Sequence, residues 1–186
     1  MTRGEANRYG VAATSDFFAH GFAFAATGLG DGNAIDNDGD LHVVFTNYLG
    51  NNGGWYEPVD TLGIGIYSDA NPALATFVDN TGKNLFMAVN FGQNPANNYG
   101  GHTFTYKLAA TLPPGSPWTP VGLQDGTLPN TDFPPSLAAS PNYIFLGVRN
   151  ASDHTLVLCR TDVNGTSTCT HFPGSRAMNF NPALAY

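Results

Sequence analysis

The segment NPALAY at residues 181–186 nearly repeats NPALAT at residues 71–76. A looser copy, PPSLAA, stands at residues 134–139, and a degenerate fourth, GNAID, at residues 32–36. Self-similarity at a few tens of residues is the signature of a repeat architecture. The chain is therefore predicted to consist of successive similar units, each opened by one copy of this segment.

After each copy, short apolar runs alternate with turn residues, which is typical of antiparallel strands joined by hairpins. The predicted strands are, unit by unit, 33–36, 41–46, 55–59 and 63–67; 73–78, 84–89, 102–108 and 118–123; 136–139, 143–148, 155–161 and 166–172. Two further strands are predicted near residues 9–14 and 21–27, before the first complete unit. The chain is thus predicted to be all-β, with four strands in each unit.

The Leu or Ile at the centre of each copy stands at Ile35, Leu74, Leu137 and Leu184, a mean spacing of about 50 residues that is close to one propeller blade. Four-stranded blades around an axis bury both faces of each sheet and keep exposed edges short. We therefore predict a single β-propeller domain over residues 1–186. The predicted blades are 32–70, 71–132, 133–178, and 179–186 together with 1–31.

Three complete units cannot close a ring without a fourth. The final segment supplies one strand of a fourth blade, and the strands within residues 1–31 are predicted to supply the others. The ring would then close by pairing of the N- and C-terminal strands. The alternatives are a fragment of a larger propeller, or one protomer of a ring made from several chains that associate through terminal strands.

Composition restricts the partners of the chain. It contains 14 acidic and 7 basic residues, for a net charge of −7, so it offers no cationic face for nucleic acid. No apolar run reaches the roughly 18 residues expected of a membrane span. With 22 Gly and 13 Pro, the chain is turn-rich, which favours many short strands over helices.

The two cysteines lie ten positions apart, at Cys159 and Cys169. If Val163-Asn164-Gly165 forms a three-residue hairpin loop with Gly165 in the left-handed conformation, the two cysteines face each other on neighbouring strands. A disulfide between them would suit an exported protein, and we predict an extracellular location. The alternative is a pair of reduced, half-buried thiols.

Residues 160–169, RTDVNGTSTC, resemble the Asp-box repeat of sialidase-like β-propellers, loosely Ser/Thr-x-Asp-x-Gly-x-Thr-Trp. The segment differs from that pattern because Arg160 replaces Ser/Thr, Asn164 is inserted, and Cys169 stands where Trp is usual. The segment at 38–44, DGDLHVV, and the repeat openings also look like those of secreted bacterial propellers. The resemblance implies a propeller fold in which the Asp-box turns are structural.

Sialidases hold the substrate carboxylate with three arginines and use a Tyr/Glu nucleophile pair. This chain has five arginines and two glutamates, Glu5 and Glu57, and only Arg149 follows a predicted inner strand. An arginine triad is therefore not expected, and sialidase activity is not carried over from the resemblance. We predict a non-catalytic protein without cofactor; a glycoside-processing hydrolase and a structural or assembly module are the alternatives.

The turns within the predicted hairpins are short, whereas the loops on the opposite side of the predicted ring are long and rich in Asn and aromatic residues. Amide side chains match paired sugar hydroxyls, and aromatic rings can stack on a pyranose. We therefore predict lectin-like binding of a neutral carbohydrate on the long-loop face. The predicted ligand-binding residues are Tyr48, Asn51, Asn52, Trp55, Tyr56, Asn94, Asn97, Asn98, Tyr99 and Arg149. The alternative is that Asn and Gly serve the turns alone.

Other candidate sites are weaker in the sequence. Asp36, Asp38 and Asp40 alternate as in a calcium loop, but the glycine and glutamate that an EF-hand requires are not at the required positions. The five histidines show no metal-ligand spacing, so no metal site is predicted. Glu57 with Asp60, or Asp69 with Asp132, would be the carboxylate pairs of a glycosidase.

Overall fold

The structure is a computed structural model that describes residues 7–15, 21–28, 41–47, 55–56, 72–91, 102–109, 111, 118–123, 131 and 134–172. For the segments up to residue 56, only the backbone is described. Within these residues all regular structure is β-strand and no helix occurs, which confirms the predicted all-β class.

The described strands form three four-stranded antiparallel sheets, each in chain order. Sheet I contains β1 (Asn7–Ser15), β2 (Gly21–Gly28), β3 (Leu41–Asn47) and β4 (Trp55–Tyr56). Sheet II contains β5 (Ala73–Asp79), β6 (Gly82–Phe91), β7 (His102–Ala109) and β8 (Thr119–Pro120). Sheet III contains β9 (Ser136–Ala139), β10 (Tyr143–Arg149), β11 (Leu156–Asp162) and β12 (Ser167–His171).

Sheets II and III match the predicted strands to within a few residues, apart from the short β8. Sheet I differs, because β2 pairs with β3 from Gly21–Asn47 to Thr27–Leu41. The blade boundary predicted at residues 31 and 32 therefore falls inside one sheet. β1 is the first strand of this sheet although it lacks the repeated segment. Each strand of the sheet pairs with the next strand along the chain, so the order follows the chain and not the repeat. The predicted strands 33–36 and 63–67, and the closing segment 182–186, lie outside the described residues.

The repeated segment opens sheets II and III at equivalent positions. Leu74 of β5 lies opposite Met87, and Leu137 of β9 lies opposite Leu146. Both leucines are buried. The first strands of the three sheets are also neighbours, because β5 contacts both β1 and β9. Sheets II and III therefore meet at the two strands that carry the opening segment, and sheet I meets sheet II at β5 although β1 lacks it.

Sheets II and III pack face to face. Alternate residues of a strand point to opposite faces of the sheet. We call the face of sheet II that carries Ala75 and Phe86 its front, and the face of sheet III that carries Leu137 and Leu146 its back. Equivalent faces of the two sheets have the same name. The front of sheet II and the back of sheet III share one apolar core. Its buried members are Ala73, Ala75, Phe77, Phe86, Ala88, Leu123, Leu137, Ile144, Leu146, Val148, Val157 and Cys159.

The back face of sheet II is buried as well. Leu74, Leu85, Met87, Val89 and Leu108 lie on it, and each is at most 7% exposed. A strand of a sheet that is buried on both faces has a nearly continuous apolar sequence, and residues 85–89 of β6, LFMAV, are of this kind. Sheet II is therefore an internal layer of the molecule.

The β11–β12 hairpin confirms the predicted register and disulfide. Cys159 and Cys169 are cross-strand partners with Cα atoms 4.0 Å apart, and their sulfur atoms are bonded. Gly165 adopts φ +82°, the left-handed conformation predicted for it. One carboxylate oxygen of Asp162 accepts hydrogen bonds from the amides of Asn164 and Thr166, each at 2.9 Å, and so stabilises the turn.

Candidate functional site

The short turns and the long loops lie at opposite ends of sheets II and III. The amide of Asn80, in the β5–β6 turn, donates a 2.8 Å hydrogen bond to the carbonyl of Val163, in the β11–β12 turn. The two turns therefore share one end, which we call the short-turn end. Asn90, the last residue but one of β6, and Arg149, the last residue of β10, are equivalent in register and lie at the opposite, long-loop end.

Arg149 and His154 form a side-chain pair at the long-loop end. Arg149 is the last residue of β10 and is 5% exposed, whereas His154 is half-buried in the β10–β11 loop. A guanidinium nitrogen of Arg149 contacts Nδ1 of His154. Because Arg has only donors, Nδ1 is the acceptor, and the ring proton lies on Nε2. Nε2–H is then the hydrogen-bond donor that the imidazole of the half-buried His154 retains.

The loop that carries His154 is tightly hydrogen-bonded. Asn150 donates its amide to the carbonyl of Thr155 at 2.9 Å, and His154 donates its own to the carbonyl of Asn150 at 2.8 Å. The side-chain oxygen of Asn150 accepts from the amide and hydroxyl of Ser152 at 3.0 and 2.9 Å. This loop therefore holds its side chains in fixed positions.

The loop contains a backbone conformation that costs free energy and a carboxyl group whose pKa is lowered. His154 adopts φ 60°, a left-handed conformation that costs free energy in a residue other than glycine and is concentrated at functional sites. Asp153 accepts the hydroxyl and amide of Thr155 at 2.7 and 3.0 Å, and these hydrogen bonds hold the pKa of Asp153 below its ordinary value. The loop thus presents a carboxylate beside the Arg149–His154 pair.

The equivalent position of sheet II carries an amide. The side chain of Asn90, 5% exposed, donates to the carbonyl of Thr131 at 3.2 Å. The hydroxyls of Thr131 and Thr103 lie 3.1 Å apart. Since Thr131 belongs to the connection between β8 and β9, these buried contacts tie that connection to the long-loop end of sheet II.

A second polar group lies at the short-turn end. Asp79 accepts hydrogen bonds from the hydroxyl and amide of Thr81 at 2.5 and 2.7 Å and from Asn84 at 2.9 Å, and it pairs with Lys107 at 3.1 Å. Partial burial acts to raise the pKa of Asp79, but the bonds from Thr81 and the Lys107 ammonium outweigh it, so that the pKa lies below its ordinary value. This group stabilises a hairpin.

A cleft of about 100 Å³ lies between the front of sheet II and the back of sheet III near this group. Its lining includes the apolar Phe77, Phe86 and Ile144 and the charged Asp79 and Lys107. Asp79 and Lys107 pair with each other, and the third charged residue of the lining, Asp162, accepts the amides of its own turn, so each charged side chain already has a partner within the protein. We assign it to packing between the sheets.

The structure places few of the predicted ligand-binding residues. Trp55 and Tyr56 form β4, where their backbone lies opposite Thr46 and Phe45. Arg149 lies at the predicted end but is buried, so a ligand would reach the half-buried His154 more readily. The other predicted residues lie outside the described part of the chain: Tyr48, Asn51, Asn52, Asn94, Asn97, Asn98 and Tyr99.

His154 was not predicted, because the sequence gives no metal-ligand spacing around it. The available signal was its position five residues after Arg149 in a loop that also holds Asn150, Ser152 and Asp153, whose short polar side chains favour tight turns. Among the described residues, no three His, Cys, Asp or Glu side chains are grouped as for a metal ion. Asp36, Asp38 and Asp40, and both proposed glycosidase pairs, lie outside the described residues.

No protein-family model matches this chain, and no curated protein matches it. Across the described segments, no helix is long and apolar enough to cross a membrane.

Proposed function

We propose that this protein is a non-catalytic β-propeller module that binds a carbohydrate, or a similar neutral polar ligand, at its long-loop end. The observation that carries the proposal is the Arg149–His154 pair, in which a buried guanidinium fixes the imidazole of a left-handed residue. The left-handed conformation of His154 costs free energy, and it places one hydrogen-bond donor. Because such strained residues are concentrated at functional sites, this arrangement favours a recognition role over a purely structural one.

The fold supports a propeller. Three antiparallel meanders of four strands follow one another along the chain, and adjacent sheets meet at their first strands. Sheet II is buried on both faces, as a blade between two neighbours would be. The sialidase-like resemblance of residues 160–169 agrees with this proposal, and Asp162 organises its turn as an Asp-box aspartate would.

The chemistry of the long-loop end suits hydroxyl groups. Nε2–H of His154 can donate to a sugar oxygen, and the carboxylate of Asp153 can accept from a hydroxyl. The Asn-rich segments 47–54 and 90–101 follow β3 and β6 and would add amides and aromatic rings to the same end. A neutral saccharide can engage all three kinds of group.

The test is a glycan array followed by titration calorimetry with the best ligand. His154→Asn retains a residue that tolerates φ near +60° but removes the imidazole, and we expect binding to weaken about 5- to 10-fold, equivalent to one hydrogen bond. Trp55→Ala and Tyr99→Ala should weaken binding further. His171→Asn, which changes an exposed histidine on β12, is the matched control and should bind as the unmodified protein does.

Absence of binding to any glycan would overturn the proposal. Equal affinity of His154→Asn, Trp55→Ala and the control would overturn it as well, because the ligand would then bind elsewhere.

A further inference from the structure

The β11–β12 turn carries an Asn-Gly pair, Asn164-Gly165, and both residues are exposed. Asparagine is a thermolabile residue, because the backbone amide of the next residue can attack its side-chain carbonyl carbon. A glycine in the next position leaves that approach open, since it has no Cβ. A Cβ added at Gly165 would meet no atom within 4 Å, so the space beside the reacting atoms is open.

The side chain of Asn164 is available for this reaction. Among the described hydrogen bonds of the turn, Asn164 contributes its backbone amide. Asn150 differs, because it is half-buried and its side-chain oxygen accepts from the amide and hydroxyl of Ser152 at 3.0 and 2.9 Å. Asn142, in the β9–β10 turn, is exposed as Asn164 is, but Tyr143 follows it. Of the described asparagines, Asn164 alone combines an exposed side chain with a following glycine.

Asp162 restrains the amide that would react. The amide of Gly165 donates to the carbonyl of Asp162 at 3.0 Å. The Asp162 carboxylate accepts the amides on either side, those of Asn164 and Thr166, each at 2.9 Å. The nitrogen of Gly165 must lose its proton to attack a carbonyl carbon, and a neighbouring negative charge opposes that loss. Cyclisation therefore requires the turn to open first.

We propose that Asn164 is a site of spontaneous covalent modification and that Asp162 controls its rate. A bond forms between the nitrogen of Gly165 and Cγ of Asn164, the bond from Cγ to the side-chain nitrogen breaks, and ammonia leaves with the proton of the Gly165 amide. Water then opens the cyclic imide at either carbonyl, which yields aspartate or isoaspartate. Each product adds a carboxylate to the turn, and isoaspartate also lengthens the backbone between β11 and β12 by one atom. The reaction is independent of what the long-loop end binds.

Incubation of the folded, full chain at mildly alkaline pH, followed by peptide mass spectrometry, tests the site. We expect the amide-to-acid mass change in the peptide that contains Asn164. Asn142 is the matched internal control and should remain an amide, because the side chain of Tyr143 hinders the attack. Peptide mapping also separates this site from Asn52-Gly53, which lies outside the described residues. Conversion of Asn164 no faster than that of Asn142 would overturn the proposal.

Two variants test the role of Asp162. Asp162→Ala removes the carboxylate that holds the turn, and we expect Asn164 to convert about 10-fold faster, as the loss of hydrogen bonds to a charged group implies. Asp162→Asn keeps an oxygen that can accept the two amides, so its rate should lie between those of Asp162→Ala and the unmodified protein. An unchanged rate in Asp162→Ala would show that Asp162 does not control the reaction. Equal acceleration at Asn142 would assign the effect to unfolding of the whole variant, which also overturns the proposal.

Discussion

The amide of Asn80 and the carbonyl of Val163 are joined by a 2.8 Å hydrogen bond, although the two residues belong to turns of different sheets. The bond links the short-turn ends of sheets II and III outside their shared apolar core. Because the two bonded residues lie in hairpin turns, the bond shows that these turns share one end, and Asn90 and Arg149 therefore lie at the common opposite end. The loops that follow β6 and β10 therefore leave the two sheets at the same end.

Removing this link should weaken the association of the two sheets. Asn80→Pro deletes the donor, and the strand conformation of Asp79 is compatible with a following proline. We expect a loss of about 1 kcal/mol in the free energy of unfolding, measured by urea denaturation. Asn80→Ala keeps the amide and is the control; equal midpoints for the two variants would show that the link contributes nothing.

The disulfide between Cys159 and Cys169 should contribute more to the free energy of unfolding than the hydrogen bond between Asn80 and Val163 does. It closes a loop with a sequence separation of 10 residues, for which restriction of the unfolded chain is worth roughly 3 kcal/mol. Reduction should therefore lower the urea midpoint of the unmodified protein. The double variant Cys159→Ala, Cys169→Ala should have a lower urea midpoint than the unmodified, oxidised protein, and reductant should not change it. A urea midpoint of the unmodified protein that does not respond to reductant would contradict the expectation.

The parts of the fold that sequence predicts correctly are those set by local pattern. Alternating apolar residues and short turns place the strands of sheets II and III, and counting outward from Gly165 gives the register that brings Cys159 to Cys169. These features depend on residues close together in the chain. Local hydrogen bonding and side-chain alternation decide them.

The parts that sequence misses depend on non-local contacts. The pairing of β2 with β3 spans a long connection, and no local signal distinguishes it from a boundary between two units. Likewise, the position of Arg149 at the end of a strand predicts an accessible side chain, but packing around that end of the strand buries it. The left-handed conformation of His154 arises from hydrogen bonds within its loop, which residue types suggest only loosely.

The Asp79 carboxylate should make stability depend on acidity. Its pKa is lowered in the folded protein, so the unfolded chain binds the proton more readily. The stabilisation is therefore present above the ordinary aspartate pKa of about 3.9 and is lost as the pH falls through the lower folded value. We expect the melting temperature to fall more steeply below about pH 4 in the unmodified protein than in Asp79→Asn.

Lys107→Met separates the two causes of that shift. It removes the ammonium but leaves the hydrogen bonds from Thr81, so it should retain part of the acid dependence. Parallel pH profiles for the unmodified protein and Asp79→Asn would show that other carboxylates control acid unfolding.

Gly165 provides a test of backbone conformation alone. Its φ of +82° is one that side-chain-bearing residues rarely adopt, yet a Cβ added there would meet no atom within 4 Å. Gly165→Ala should therefore destabilise the hairpin by about 1–2 kcal/mol through strain and not through a clash. Gly165→Asn should cost less, because asparagine tolerates the left-handed region. Thermal unfolding of both variants measures the difference, and equal losses in the two variants would contradict backbone strain at φ +82° as the cause.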